Sequence, residues 1–173
     1  MSMKSTATRL ITALAVGVVF AGVVGGPVQA ADEKAEKPKV SKAVAKPLQA
    51  AKEALDAKKY EEGIAKLKEV EAMSGKAPYD EHLLHELLGL GYVRMNQFPE
   101  AAKELEAGLN SGFLEEAEVP NRVRALATVN YQIKNYDKAI EFGNRAIKAG
   151  YADDDMYTIV GQAYYIKNDF RNT

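Results

Sequence analysis

From about Ala43 onward the distribution of apolar and polar residues reads as helix throughout, and nowhere does it alternate over a stretch bounded by turns as a half-buried strand requires. The stretch from Pro120 to Ile147 sets the pattern: P-N-R-V-R-A-L-A-T-V-N-Y-Q-I-K-N-Y-D-K-A-I-E-F-G-N-R-A-I, two helical segments broken at Lys134-Asn135. Small residues (Ala127, Ala139, Ala146) fall where two helices must approach closely, and Tyr136 opens the second helix. The chain therefore predicts an all-α protein built from helix pairs.

The pattern recurs. Four segments align on an aromatic opening each second helix, Tyr60, Phe98, Tyr136 and Phe170, at spacings of 38, 38 and 34 residues. Nine residues before each aromatic stands a small residue (Ala51, Gly89, Ala127, Gly161). Three after it comes Gly63, Ala101 or Ala139, and ten after it Val70, Gly108 or Ala146. Large apolar residues, Leu88, Leu126, Val160, Tyr92 and Tyr164, occupy the complementary positions, while Asn130 and Ala54 break the tyrosine pattern and Pro47 stands where an aromatic is usual. This resembles the tetratricopeptide repeat, a helix–turn–helix unit of about 34 residues that stacks on its neighbours. The resemblance covers residues 43–173 as about 3.5 repeats and implies a right-handed superhelical array, the first repeat degenerate.

Punctuation places the boundaries. Asp80 is read as capping a helix that begins near Glu81, Asp153-Asp154-Asp155 puts acids at a helix start, and Pro120 suits a first turn. Ser74 to Pro78 and Asn110-Ser111-Gly112 mark two lengthened loops. The fourth repeat stops at Phe170-Arg171-Asn172-Thr173, where its second helix should begin, so the array is expected to be incomplete. Its last helix is then expected to expose Tyr157, Val160 and Tyr164, a stripe through which copies would associate.

Residues 1–30 read differently. Lys4 and Arg9 form a positive segment, Leu10 to Gly26 is apolar, and Pro27-Val28-Gln29-Ala30 offers small residues before a cut, the arrangement of a secretory signal peptide cleaved after Ala30. Residues 31–42 are charged, of low complexity and too poor in large apolar side chains to offset their ordering entropy, which predicts a disordered tether. The expected compartment is the periplasm, with secretion the alternative. Without residues 1–30, and so without Lys4 and Arg9, the chain has 21 basic against 24 acidic residues, a net charge of −3, and nothing in it suggests the concentrated basic face that nucleic acid needs; with no cysteine the fold holds without disulfides.

Candidate chemistry is sparse. His82 and His85 lie three apart, but His85-Glu86-Leu87-Leu88 is followed by Gly89, where the zinc-protease signature needs a second histidine; His85 is read instead as a packing residue. Gly89-Leu90-Gly91 sits inside a helix and follows no strand, so it is not a phosphate loop. No Ser stands with plausible base and orienting partners. The expectation is a non-enzyme without metal or small-molecule cofactor.

What remains is the concave groove that the repeat family lines with its first helices. Carried onto matching positions, it implies Leu83, Glu86, Leu90, Val93 and Arg94 from the second repeat, and Asn121, Arg124, Thr128, Tyr131 and Gln132 from the third. The fourth supplies Asp155, Thr158, Gln162, Tyr165 and Ile166. Among these Arg94, Asn121, Arg124, Tyr131, Gln132, Gln162 and Tyr165 suit a protein or peptide partner, amides to its backbone, arginines to carboxylates and tyrosines to apolar side chains. The lysine and asparagine pattern of the chaperone-tail carboxylate clamp is not present. The opening V-S-K-A-V-A-K-P-L-Q-A-A-K-E-A-L with the turns Y-V-R-M-N-Q-F-P-E-A-A and N-Y-Q-I-K-N-Y-D-K-A-I is similar to exported repeat proteins that accompany TonB–ExbB–ExbD-type systems. That resemblance implies a scaffold in an envelope uptake complex. An adaptor in cell-wall or outer-membrane biogenesis, and an accessory part of an enzyme whose active domain lies beyond residue 173, stay open as other readings.

Overall fold

A computed structural model describes residues 38–167. Among them seven α-helices follow one another without a strand: α1 (Lys42–Asp56), α2 (Tyr60–Ala72), α3 (Pro78–Arg94), α4 (Phe98–Asn110), α5 (Val119–Gln132), α6 (Tyr136–Lys148) and α7 (Asp154–Ile166), with a short 3₁₀ turn at Glu116–Glu118. Each helix packs chiefly on the one before and the one after it. Residues 1–30, read as a signal peptide, most of the stretch read as a tether, and Phe170 lie outside the described residues.

Three of the connections are the same turn repeated. Lys58, Asn96 and Lys134 adopt φ of 61°, 57° and 60°, each two residues before the aromatic that opens the next helix. The amides of Lys59, Gln97 and Asn135 donate to the carbonyls of Ala54, Tyr92 and Asn130 at 2.9, 2.9 and 2.8 Å, the wide hydrogen bond of a Schellman helix end. A left-handed residue reverses the chain there, the following residue is the N-cap, and the aromatic after it starts the next helix. Asn130, which interrupts the tyrosine pattern, is buried but satisfied, since its Nδ2 donates to the Leu126 carbonyl at 2.8 Å.

The small positions let the helices close. Ala51, Ala127, Ala139 and Ala146 have no exposed surface. A Cβ on Gly63 would lie 2.6 Å from Leu55 Cδ2, and one on Gly89 2.7 Å from Leu105 Cδ2. Leu67, Leu88, Leu126 and Met156 fill the layers between. Gly161 departs from the pattern, because a Cβ there meets nothing within 4 Å.

Three expectations need correction. The helix assigned to start near Glu81 begins at Pro78, so Asp80 lies inside its first turn rather than capping it from outside. The Asp80 carboxylate reaches back to the Ala77 amide at 2.8 Å and across to the Ser41 amide at 2.9 Å. Proline costs nothing at a first helical position, so Pro78 joins α3, while Ser74 to Ala77 form the lengthened loop. His85 is not a packing residue: its ring is partly exposed and Nδ1 meets the buried Glu104 carboxylate at 2.7 Å. Val160 is not exposed. It packs into the space left by Gly143 on α6, and the Tyr164 hydroxyl accepts from Asn144 Nδ2 at 2.7 Å, which leaves Tyr157 open among the three.

Candidate functional site

Helix α3 organises the face lined by the first helices of the pairs. Its Tyr79, His82, Leu83, Glu86, Leu87 and Leu90 recur at intervals of three and four and so share one side. Clefts run along that side. One, of about 430 Å³, lies at the N-terminal end between Tyr79, Leu83, Glu86, Phe113 and Glu118. A second, of about 320 Å³ and apolar, lies between α3 and α5 and is lined by Leu87, Leu90, Val93 and Ala125. A third, of about 260 Å³, is bounded by Leu90, Arg94, Lys58 and Tyr60. On the α1 side, Val40, Leu48, Leu83 and Leu87 enclose a further apolar cleft of about 380 Å³.

The middle cleft exists because α3 and α5 have almost no close backbone contact, whereas α5 and α7 touch directly. Arg122 of α5 bridges the gap by donating through Nη2 to the Glu86 carboxylate. Only 15% and 20% of the two side chains is exposed. Burial pushes the Arg122 guanidinium below its ordinary pKa, the sign of a charge taken out of water. Gly108 of α4 makes the room, since a Cβ there would collide with Glu86 Oε1. A charged pair thus holds two helices at a distance and leaves an apolar slot beside it.

The N-terminal end of α3 is anchored by two buried polar groups. Burial pushes the Asp80 carboxyl up, but hydrogen bonds from Ser41 and Ala77 and the Lys76 charge outweigh it, and the net displacement is downward. Burial also drives the His82 imidazole below its usual value. Its Nδ1 lies 2.8 Å from Ser111 Oγ, and that hydroxyl donates to the Gly108 carbonyl at 2.7 Å. The hydroxyl thus lies within hydrogen-bond distance of both the His82 ring and the Gly108 carbonyl, a contact that fastens the end of α4 to α3. Tyr79 and Phe113 pack edge to face beside it, ring centres 5.5 Å apart.

The residues expected to form a groove divide among the seams. Tyr131 and Gln162 come together across α5 and α7, with the hydroxyl donating to Oε1 at 2.6 Å. Arg124 pairs with Asp153 at the start of α7. Asn121 lines the α3–α5 gap with Glu86 and Arg122, and Arg94 lines the third cleft. Gln132 and Tyr165 are exposed, Tyr165 by 65%. Sequence reasoning passed over Arg122, which falls one position beside the expected groove residues, and over Tyr79 and Phe113. Gly108, a glycine in a helix, makes the space that the Glu86 carboxylate uses, and Arg122 is the cation that this buried carboxylate requires.

No protein-family model, curated protein or solved structure matches this chain. Among the described residues no helix is long and apolar enough to cross a membrane, and no group of three or more His, Cys, Asp or Glu side chains could hold a metal ion.

Proposed function

We propose that this chain is a tetratricopeptide-type array that acts as an interaction scaffold, binding a segment of a partner protein along the face of α1, α3, α5 and α7. The observation that carries the reading is the slot between α3 and α5. It presents Leu87, Leu90, Val93 and Ala125 beside a desolvated ion pair, with Leu90 42% exposed. An exposed leucine in a concave, apolar cleft is where a partner's side chain gains burial without displacing bound polar groups. The turn repeated at Lys58, Asn96 and Lys134 supports the array, since identical connections in one register stack equivalent helices. Export to the periplasm rests on residues 1–30 and a role in envelope uptake on the resemblance of the turns. Mass spectrometry of the mature protein is expected to find an N-terminus at Ala31, and intact Met1 in a membrane fraction would replace cleavage by anchoring.

A photo-crosslinking residue at Leu90 or Asn121, activated in intact cells, tests the scaffold. One discrete partner is expected from these positions and none from Lys103, whose side chain is 79% exposed on α4. No adduct, or the same adducts from all three sites, would overturn the assignment of this face.

A further inference from the structure

The clefts along α3 adjoin one another and differ in charge. The first and second share Glu86, and the second and third share Leu90, so an extended ligand lying along this side of α3 from Tyr79 to Arg94 would meet all three. The first cleft combines the Tyr79–Phe113 aromatic pair with Glu115 and Glu118, and among its described lining residues the one basic side chain is His82, whose pKa burial lowers. The second is apolar, its charges cancelled in the Glu86–Arg122 pair. The third carries Arg94 and Lys58 against a single acid, Asp56, which is already paired with Lys52 at 2.6 Å. The face thus runs from negative and aromatic, through apolar, to positive.

We infer that the scaffold selects a bipolar segment: a basic residue seated against Tyr79, Phe113 and Glu118, one or two branched apolar residues in the Leu87–Leu90–Ala125 slot, and an acidic residue or chain-terminal carboxylate at Arg94 and Lys58. This rests on the reading of the α3 face as a binding surface and adds the chemistry of its occupant. A cation gains both from the carboxylate and from the aromatic faces, and a carboxylate gains from a guanidinium able to bind it bidentately. Like charges at either end would be repelled, so the two poles supply selectivity while the slot supplies the burial. Tyr79 to Arg94 spans about 22 Å of helix, which about seven extended residues cover.

The test uses synthetic peptides of about a dozen residues sharing a central Leu-Leu, with flanks that are basic at one end and acidic at the other, all basic, all acidic, or neutral. Binding to the protein is followed by fluorescence anisotropy at low salt. The bipolar peptide is expected to bind tightest, each mismatched end weakening binding by about threefold to fivefold, and the preference to fade as salt is raised. Arg94→Glu should favour the all-basic peptide and Glu118→Gln should lessen the penalty of the all-acidic one; Arg94 is exposed at the end of α3, so its replacement leaves the fold intact. Peptides that bind with no dependence on charge pattern or on these variants would overturn the bipolar selection while leaving the slot as a binding site. Failure of every peptide to bind, alongside a crosslinked partner at Leu90, would overturn it too, whereas the absence of any crosslinked partner is the failure of the scaffold itself.

Discussion

The α3–α5 seam and the α5–α7 seam join equivalent helices, yet one is open and the other closed. Residues 111–118, with their 3₁₀ turn, separate α4 from α5, while only residues 149–153 separate α6 from α7. In the open seam Glu86 and Arg122 face each other and keep the backbones apart. In the closed seam the helices meet directly, tied by Tyr131 to Gln162 and by Arg124 to Asp153, while beneath it Val160 of α7 sinks into the space left by Gly143 of α6. Neighbouring first helices therefore leave an open slot where a buried charged pair spans them, and form a joint where they touch directly and the following helix packs closely on the second helix before it.

The largest expected effect comes from breaking the open seam. Arg122→Ala leaves the Glu86 carboxylate largely buried without its cation, and a cost of about 2–3 kcal/mol in chemical denaturation is expected, less than for a fully enclosed pair. Replacing both Glu86 and Arg122 by methionine should recover most of that loss, because no charge is then stranded. Additive losses in the double variant would mean that the two side chains do not act as a pair.

The α6–α7 packing beneath the closed seam should fail by overpacking. Gly143→Ala forces a methyl into Val160 and is expected to cost about 1–3 kcal/mol, read from the thermal midpoint. Gly161→Ala, where a Cβ meets open space, should stabilise α7 by up to about 1 kcal/mol from helix propensity alone. Equal effects of the two substitutions would show that the contact at Gly143 does not hold α7 against α6.

Acid should loosen the α3 end next. The buried His82 ring binds a proton less readily in the folded protein than in the unfolded chain, so its contribution is complete above the unfolded value near pH 6.5 and is lost as pH falls below it. Asp80, displaced downward, contributes above about pH 3.9 and is lost only on further acidification through its lower folded value. Unfolding free energy followed against pH should thus decline in two stages, and His82→Gln should remove the upper one. A curve through pH 6 unchanged by that substitution would contradict the sheltered imidazole. The smallest effect belongs to Tyr131→Phe. It deletes one exposed hydrogen bond in the closed seam and should cost under about 1 kcal/mol by thermal denaturation.

The helices and their pairing were legible because they depend on local information. Periodicity, small residues at fixed offsets and an aromatic after each break specify which stretches coil and where they can touch, and the left-handed turns at Lys58, Asn96 and Lys134 fall in the register those aromatics mark. Asp153 capping α7 through the Met156 amide is the same kind of signal. Where it failed, a distant partner had decided the outcome. Asp80 looked like an external cap, but Ser41, far back in the chain, and Ala77 draw it into the helix. His85 was read as packing because nothing in its neighbourhood in sequence announces Glu104. Of the expected groove residues, the sequence could say which helices carry them, and no more. Whether adjacent first helices close on each other or stand apart depends on how Glu86, Gly108 and Arg122 fit together across three helices. That fit is a property of packed volumes and desolvated charge, which only the tertiary structure brings into contact.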